Sequence, residues 1–191
     1  MERNIAHIAL FAALIAALGL VPKITLAFGV PVTAQTLGVM LAGAVLGARR
    51  GFAATLLFVA LVALGLPLLA GGRGGLGVFA SPTAGFALGF PVAALATGLF
   101  VEHVRLPWIG LGAALGAALG GIVVLYPLGA IGMAVVLGES FPTALKLAGA
   151  FLPGDLLKAG VTGMLVSALA RVRPQSIAWR RQAVDATRPR Y

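Results

Sequence analysis

Residues 34–69 read AQTLGVMLAGAVLGARRGFAATLLFVALVALGLPLL. Two long apolar runs are separated here by one pair of charges, Arg49 and Arg50. Soluble domains carry roughly 25% charged residues, whereas this chain of 191 residues is 10% charged and 60% hydrophobic. Because so few charges cannot cover a surface in water, the sequence predicts an integral membrane protein in which the arginine pair separates two membrane spans.

The same alternation of apolar runs and short connections continues in both directions. A hydrocarbon core of ~30 Å requires ~20 apolar residues per helix, so the chain has room for about six spans. The first run could be a signal peptide, but no clear cleavage site precedes a soluble domain, and we assign it as the first span. We expect an all-α integral membrane protein, a single membrane domain over 1–191, with an extended or hairpin-like outer segment between the first two spans. The predicted spans are 5–21, 34–48, 51–69, 84–101, 108–137 and 154–171, followed by a basic cytoplasmic tail over 172–191.

The basic residues predict the orientation, because lysine and arginine are enriched in cytoplasmic connections. With six spans, one side of the membrane receives Arg3, Arg49, Arg50, Arg105, Arg171, Arg173, Arg180 and Arg181. The other side receives only Lys23, Arg73 and Lys146. We therefore expect a multi-pass protein of the cell (inner) membrane with both termini in the cytoplasm. The longer connections, 22–36, 70–83 and 137–155, then lie at the outer face.

Several classes of function are excluded by composition. The net charge is +9, but six of the fourteen basic residues lie in the last 21 positions, which favours contact with membrane lipid over nucleic acid. The chain has no cysteine, hence no disulfide or thiolate chemistry. It has no Gly-Lys pair, so it lacks the phosphate loop of ATPases, and any ATPase that drives it is another polypeptide. We predict neither a metal site nor an enzyme, since no nucleophile, base and orienting group occur at readable spacing.

The glycine-rich connection GGRGGLGVFASPTAG (71–85) allows two interpretations. It is either a flexible hairpin or a lid whose backbone amides approach a ligand, with Arg73 available to an anionic group. The segment PGDLLKAG (153–160) is ambiguous in the same way. Asp155 and Lys158 share one helical face, either as an N-cap and a snorkelling lysine or as an acceptor and donor pair for a polar ligand.

Two further features are candidates for recognition. Gln35, at the start of the second span, offers both a donor and an acceptor. In the first span Ala9, Ala13 and Ala17 recur at four-residue spacing, which lets helix backbones approach closely in lipid. This alanine stripe serves either packing within the bundle or the docking of a partner subunit.

Three motifs together resemble the BioY family, the substrate-binding S components of biotin transporters of the energy-coupling factor (ECF) type. They are FGVPVTAQTLGVMLAGAVLGARRG (28–51), GLPLLAGGRGGLGVFASPTAGFALGF (65–90) and FLPGDLLKAG (151–160). The resemblance implies six helices and a biotin pocket near the outer surface that captures biotin for import. It also implies an ECF transmembrane coupling subunit and ATP-binding subunits as partners, docked partly through the alanine stripe; whether the chain also functions without them is left open.

The resemblance also implies a binding site. Asp155, Lys158 and Gln35 are expected to hydrogen-bond the polar groups of biotin between Phe79 and Phe86, with Arg73 or Lys158 meeting the carboxylate. The chain has SPTAGF at 81–86 where the family commonly has GPTGGY, so a ring is kept but a hydroxyl is lost. The candidate binding residues are Gln35, Arg73, Gly74, Gly75, Phe79, Ser81, Thr83, Phe86, Asp155 and Lys158.

Three alternatives rank below this interpretation. An S component for another vitamin would use the same architecture. A membrane-embedded enzyme needs an acidic cluster or a triad near the spans, which the sequence lacks. An oligomeric pore needs polar residues along a whole span, whereas here they collect at one face.

Overall fold

The chain folds into eight α-helices over the residues that the computed structural model describes, which are 2–22, 24–25, 31–104, 106–177 and 179. Lys23, Arg105, Arg180, Arg181 and most of the predicted tail lie outside the described residues. Two strands of two residues, β1 (Ile24–Thr25) and β2 (Pro31–Val32), pair in antiparallel register between the first two helices. The helices are α1 (Glu2–Leu18), α2 (Gln35–Leu46), α3 (Ala48–Ala63), α4 (Ala84–His103), α5 (Ile109–Ala118), α6 (Leu125–Leu137), α7 (Phe141–Ala148) and α8 (Leu152–Val172).

Helix α2 is the centre of the bundle and packs against α1, α3, α4, α5 and α8. Every residue of α2 except Thr36 and Leu37 is buried. Close packing is possible because α2 presents glycines to its neighbours: a Cβ on Gly38 would lie 2.8 Å from the side chain of Ile15 in α1. Because nearly all of α2 is buried, its surroundings are mainly protein. With twelve residues the helix is about 18 Å long.

Gly47 is the whole connection between α2 and α3, with φ of +81°. The prediction that Arg49 and Arg50 form the connection is wrong, because both arginines lie in the first turn of α3. The backbone N–H of Ala48 donates to Oε1 of Glu102 from α4 at 2.9 Å. A carboxylate at this position balances the positive end of the α3 helix dipole.

Helix α3 ends at Ala63, whereas the apolar run predicted a helix to residue 69. Gly65 adopts φ of +105° and Pro67 follows it, so the helical path is broken although the residues remain apolar. The chain then crosses to α4 through an irregular loop that contains a short 3₁₀ turn, Leu76–Ala80. This loop carries Arg73 and forms one side of the site described below.

Helices α5 and α6 are joined by a π-helical turn, Leu119–Val124, so the predicted span 108–137 is continuous but not regular. One extra residue in a turn rotates the following helical face by about 100°. Gly120 allows the π-helical turn to pack directly against α4, because a Cβ there would overlap Oγ1 of Thr97 and the carbonyl of Ala93.

The helix lengths bear on the membrane assignment. Within the described residues, Ala84–His103 and Ile109–Leu137 are long and apolar enough to cross a bilayer, while Asn4–Leu18 and Gln35–Leu46 are apolar but shorter. On α1, Ala9, Ala13 and Ala17 are exposed, while Ala12 and Ile15 are buried against the bundle. The alanine stripe is therefore open on the outside of the fold.

Candidate ligand-binding pocket

A closed set of polar contacts forms around Asp155, in the first turn of α8. The residue is only 3% exposed. Oδ1 accepts hydrogen bonds from Nζ of Lys158 at 2.7 Å and from Oγ1 of Thr36 at 3.0 Å. Oδ2 accepts from the hydroxyl of Tyr126 at 2.9 Å. The buried charge is thus held by one cation and two hydroxyl donors, as a carboxylate removed from water requires.

Lys158 completes this polar quartet of Thr36, Tyr126, Asp155 and Lys158. Its Nζ also donates to Oγ1 of Thr36 at 2.8 Å. The lysine side chain is 16% exposed, against 5% for the aspartate side chain, so the ammonium is the more accessible member of the ion pair. A buried ion pair contributes little to stability on average, and charges at membrane depth tend to be functional. The quartet is therefore a candidate recognition element.

The quartet lies at one wall of a pocket whose empty space is about 570 Å³ when its open mouth is included. The apolar, aromatic part of the pocket lining is formed by Phe86, Phe90 and Phe151. Phe86 packs edge-to-face on Phe151 with ring centroids 5.7 Å apart. The lining residues are Thr33, Gln35, Thr36, Leu69, Arg73, Thr83, Phe86, Ala87, Phe90, Phe151, Asp155 and Lys158.

The ring of Phe86 lies directly over Gly129 of α6, where a Cβ would overlap three ring carbons. Phe86 also packs on Tyr126 at a centroid distance of 6.4 Å and an interplanar angle of 75°. Because aromatic edges and faces attract one another in this geometry, the ring is held between α6 and Phe151. The wall of the pocket is thus rigid at this point.

Arg73 reaches the pocket from the glycine-rich loop. Leu69 and Arg73 form an isolated bridge, and the turn between them contains Gly71 and Gly72 at φ of +84° and +68°. The Arg73 guanidinium donates to the carbonyl of Ala70 at 3.3 Å through Nε and to Oγ1 of Thr83 at 3.4 Å through Nη1. Both acceptors are neutral, and among the described residues Arg73 has no carboxylate partner. Its side chain therefore brings a positive charge to the pocket lining that no carboxylate neutralises.

Gln35 also lines the pocket, but its amide is committed to the backbone. Nε2 donates to the carbonyls of Ile15 at 3.2 Å and Leu68 at 3.0 Å, and Oε1 accepts from the N–H of Ala70 at 3.1 Å. The side chain is 2% exposed. Gln35 therefore fastens the glycine-rich loop to the end of α1, and the ligand contact expected from the sequence stays a prediction.

Six of the ten predicted residues are brought together at the pocket, and four lie behind it. Gly74 packs on the carbonyl of Leu66, Gly75 adopts φ of +81°, and Phe79 packs against the core. Ser81 donates to the carbonyl of Val78 at 2.6 Å. These four shape the loop and do not line the cavity; the six that do are Gln35, Arg73, Thr83, Phe86, Asp155 and Lys158.

Sequence reasoning missed several residues of the site, above all Tyr126. A tyrosine inside an apolar run needs a partner for its hydroxyl, and this signal was present in the sequence. Thr36, which bonds both charges of the ion pair, resembled an ordinary residue of a helix start. The other lining residues not predicted are Thr33, Leu69, Ala87, Phe90 and Phe151. No group of three or more potential metal ligands occurs within the described part of the chain.

Comparison with known proteins identifies the family of this chain. The profile of the BioY family matches residues 2–175. This chain belongs to the BioY family. A protein named biotin transporter BioY from Rhodobacter capsulatus is 54% identical over 186 residues, covering 93% of this chain and 98% of the relative. A biotin transporter BioY from Rhizobium etli is 52% identical over 169 residues, covering 85% of this chain and 90% of the relative.

A solved structure has the same fold. The crystal structure of the S-component for biotin from an ECF-type ABC transporter superposes with a TM-score of 0.82 at 30% identity, covering 89% of this chain and 92% of that chain. The family resemblance inferred from three motifs and the all-α class are confirmed by these comparisons. BioY proteins are multi-pass proteins of the cell membrane that serve transport, so the prediction of a transport component and not an enzyme is confirmed as well.

Proposed function

We propose that this chain is the substrate-binding membrane component of a biotin uptake transporter of the ECF type. The observation that carries the proposal is the pocket, in which one acceptor, one accessible cation and an aromatic wall converge within a fold shared with a biotin S-component. Biotin has a ureido group with two N–H donors and one carbonyl, a compact apolar bicycle and a carboxylate on a flexible chain. Each of these parts has a complementary group in the pocket.

The polar quartet is suited to the ureido group. The carboxylate of Asp155 can accept from a ureido N–H, and the ammonium of Lys158 and the hydroxyl of Thr36 can donate to the ureido carbonyl. The rings of Phe86 and Phe151 enclose the bicycle from the apolar side. We assign these contacts to recognition of the ring system, since buried polar groups that are left unpaired discriminate strongly against ligands that lack the matching groups.

We assign the carboxylate of biotin to Arg73. Lys158 is already neutralised by Asp155 at 2.7 Å, whereas Arg73 has only neutral acceptors and lines the same pocket. Arginine pairs with carboxylates through two parallel N–H donors. The glycine-rich loop would then close over the chain of the bound vitamin.

We propose that six helical segments cross the membrane: α1, α2, α3, α4, the continuous α5–α6, and α8. Asp155 and Arg171 occupy opposite ends of α8, and their separation of sixteen positions corresponds to about 24 Å of helix. The pocket at one end and the basic residues at the other are therefore separated by most of the hydrocarbon core of ~30 Å. With the basic end and both termini in the cytoplasm, the pocket and the β1–β2 segment open to the outer face.

We further propose that the exposed stripe of Ala9, Ala13 and Ala17 docks the transmembrane coupling subunit. Small residues allow close approach of a second helix in lipid. The ATP-binding subunits would then be separate polypeptides that act through this coupling subunit. Radiolabelled biotin uptake by cells expressing the chain with and without these subunits tests the arrangement; uptake that is equal in both, and unchanged by Ala13→Leu, would contradict it.

The ligand assignment is tested with purified protein. A ligand at 100 times its Kd adds ~2.7 kcal/mol of stability, so a panel of vitamins separates biotin from alternatives by thermal shift. Asp155→Asn and Arg73→Gln should each weaken biotin binding by about tenfold or more, since a hydrogen bond to a charged group contributes ~1.5–3 kcal/mol. Glu139→Gln and Lys146→Gln, which change exposed charges outside the pocket, are the matched controls. Stabilisation by another vitamin only, or full biotin affinity in both pocket variants, would refute the assignment.

A further inference from the structure

A second concave surface lies between α5 and α8, on the outside of the bundle and away from the pocket. It encloses about 1400 Å³ including its open side. The floor is made of small residues, because α5 and α8 touch without side chains between them: a Cβ on Gly163 would lie 2.5 Å from the carbonyl oxygen of Gly110. Beside them Gly160 is exposed, and a Cβ there would meet nothing within 4 Å. We call this surface the α5–α8 groove.

The length of the α5–α8 groove matches one leaflet of a bilayer. Its lining on α8 runs from Gly160 to Arg171, and eleven residues of helix correspond to about 16 Å. Half of a hydrocarbon core of ~30 Å is about 15 Å. The groove runs along the helices toward the end of α8 that is remote from Asp155, and its floor of small residues leaves room for an acyl chain.

The end of the α5–α8 groove has a different chemistry from its floor. Trp108, at the start of α5, is 72% exposed. Arg171, in the last turn of α8, is exposed and lines the same groove. Ser167 adds a hydroxyl that lies over Gly110. Tryptophan and arginine at this position are typical of the interface between hydrocarbon and headgroups, and the described lining contains no carboxylate that would neutralise the arginine.

We propose that the α5–α8 groove binds one anionic phospholipid of the cytoplasmic leaflet. The acyl chain lies over Gly160 and Gly163, and the phosphate group is held by the guanidinium of Arg171, the indole N–H of Trp108 and the hydroxyl of Ser167. A polar cluster at one end of an apolar channel one leaflet long is complementary to a lipid, whereas a protein helix would need an apolar partner surface along its whole length. The inference goes beyond the capture of biotin and does not depend on it.

The chain offers a direct probe, because it has two tryptophans, Trp108 and Trp179. In a Trp179→Phe background the emission of Trp108 alone reports the groove. We would reconstitute this variant into bilayers and compare quenching by phosphatidylglycerol and by phosphatidylcholine that carry bromine on their acyl chains. A basic residue near the membrane surface contributes about 1 kcal/mol toward an anionic lipid, so the brominated phosphatidylglycerol is expected to associate about fivefold more strongly.

Two variants and one control complete the experiment. Arg171→Gln should reduce the preference for phosphatidylglycerol to near unity, and Gly160→Leu should reduce quenching by filling the floor. Arg49→Gln removes an exposed arginine outside the groove and should leave the preference unchanged. An unchanged Tm of ligand-free Arg171→Gln verifies the fold. Equal quenching by both lipids, or equal loss of preference in Arg171→Gln and Arg49→Gln, would overturn the proposal in favour of ordinary boundary lipid or a protein occupant.

Discussion

Replacing Gln35 by leucine should lower the thermal stability of the ligand-free protein. The substitution keeps the volume of the side chain but removes its amide. Three backbone groups then lose a partner: the carbonyls of Ile15 and Leu68 and the N–H of Ala70, which lie 3.0–3.2 Å from the amide. Because the site is 2% exposed, water cannot replace these bonds without opening the loop.

The magnitude follows from the three lost bonds. At ~1 kcal/mol net for each, the cost is about 3 kcal/mol. For a chain of this size each kcal/mol corresponds to roughly 2–4 °C in Tm, so we expect a decrease of about 6–12 °C. Gln35→Glu should be at least as harmful, since a carboxylate oxygen would face two carbonyl oxygens in place of the amide group.

The assay is thermal unfolding of purified protein without ligand. Thr143→Val, an exposed exchange of a polar for an apolar side chain of similar shape, is the control and should change Tm by less than about 2 °C. The reasoning fails if Gln35→Leu leaves the ligand-free Tm at the control value while biotin affinity collapses. That result would make Gln35 a ligand contact, as the sequence alone had indicated.

Three further substitutions test the wall and the supports of the site. Tyr126→Phe removes the donor to Oδ2 of Asp155 and should weaken biotin binding by about tenfold, measured by titration calorimetry; an unchanged Kd would show that the hydroxyl does not orient the carboxylate. Gly129→Ala places a methyl group where the ring of Phe86 lies. It should destabilise the protein by about 1–3 kcal/mol, and biotin should raise Tm by less than in the unsubstituted protein in the same thermal scans. Glu102→Gln keeps an acceptor at the start of α3 but loses the charge, so stability should fall by ~0.3–1 kcal/mol at low salt and by less at high salt; a salt-independent loss contradicts a dipole effect.

The α8 end of the pocket was predictable because its determinants are local. Asp155 and Lys158 are three residues apart on a helix, so the sequence places them on one face, and the structure has them in contact at 2.7 Å. Their other partners are not local: Thr36 is 119 residues from Asp155 along the chain, and Tyr126 is 29 residues away. No periodicity connects such positions, because tertiary packing brings them together.

The errors have equally specific causes. Residues 64–69 are apolar, and composition does not distinguish an apolar helix from an apolar irregular segment, although Gly65 and Pro67 were available as breakers. The apolar run 108–137 predicts one regular span and carries no signal of the π-helical turn before Tyr126, which shifts the helical phase. For Gln35 the sequence shows only its hydrogen-bonding capacity; its main-chain partners could not be anticipated, because a loop of irregular shape supplies them.

Most hydrogen-bonding positions of the polar quartet are filled before a ligand arrives, and this limits the affinity that the quartet can contribute. Oδ1 of Asp155 accepts two internal bonds and Nζ of Lys158 makes two, so an entering molecule swaps partners with the protein and gains little from polarity alone. In the proposed binding mode the net attraction comes from the aromatic wall and from Arg73, while the exchange of partners at the quartet penalises any ligand that cannot offer both a donor and an acceptor. Urea-like fragments without a bicycle should therefore bind with low affinity, and apolar rings without a ureido group should not bind measurably.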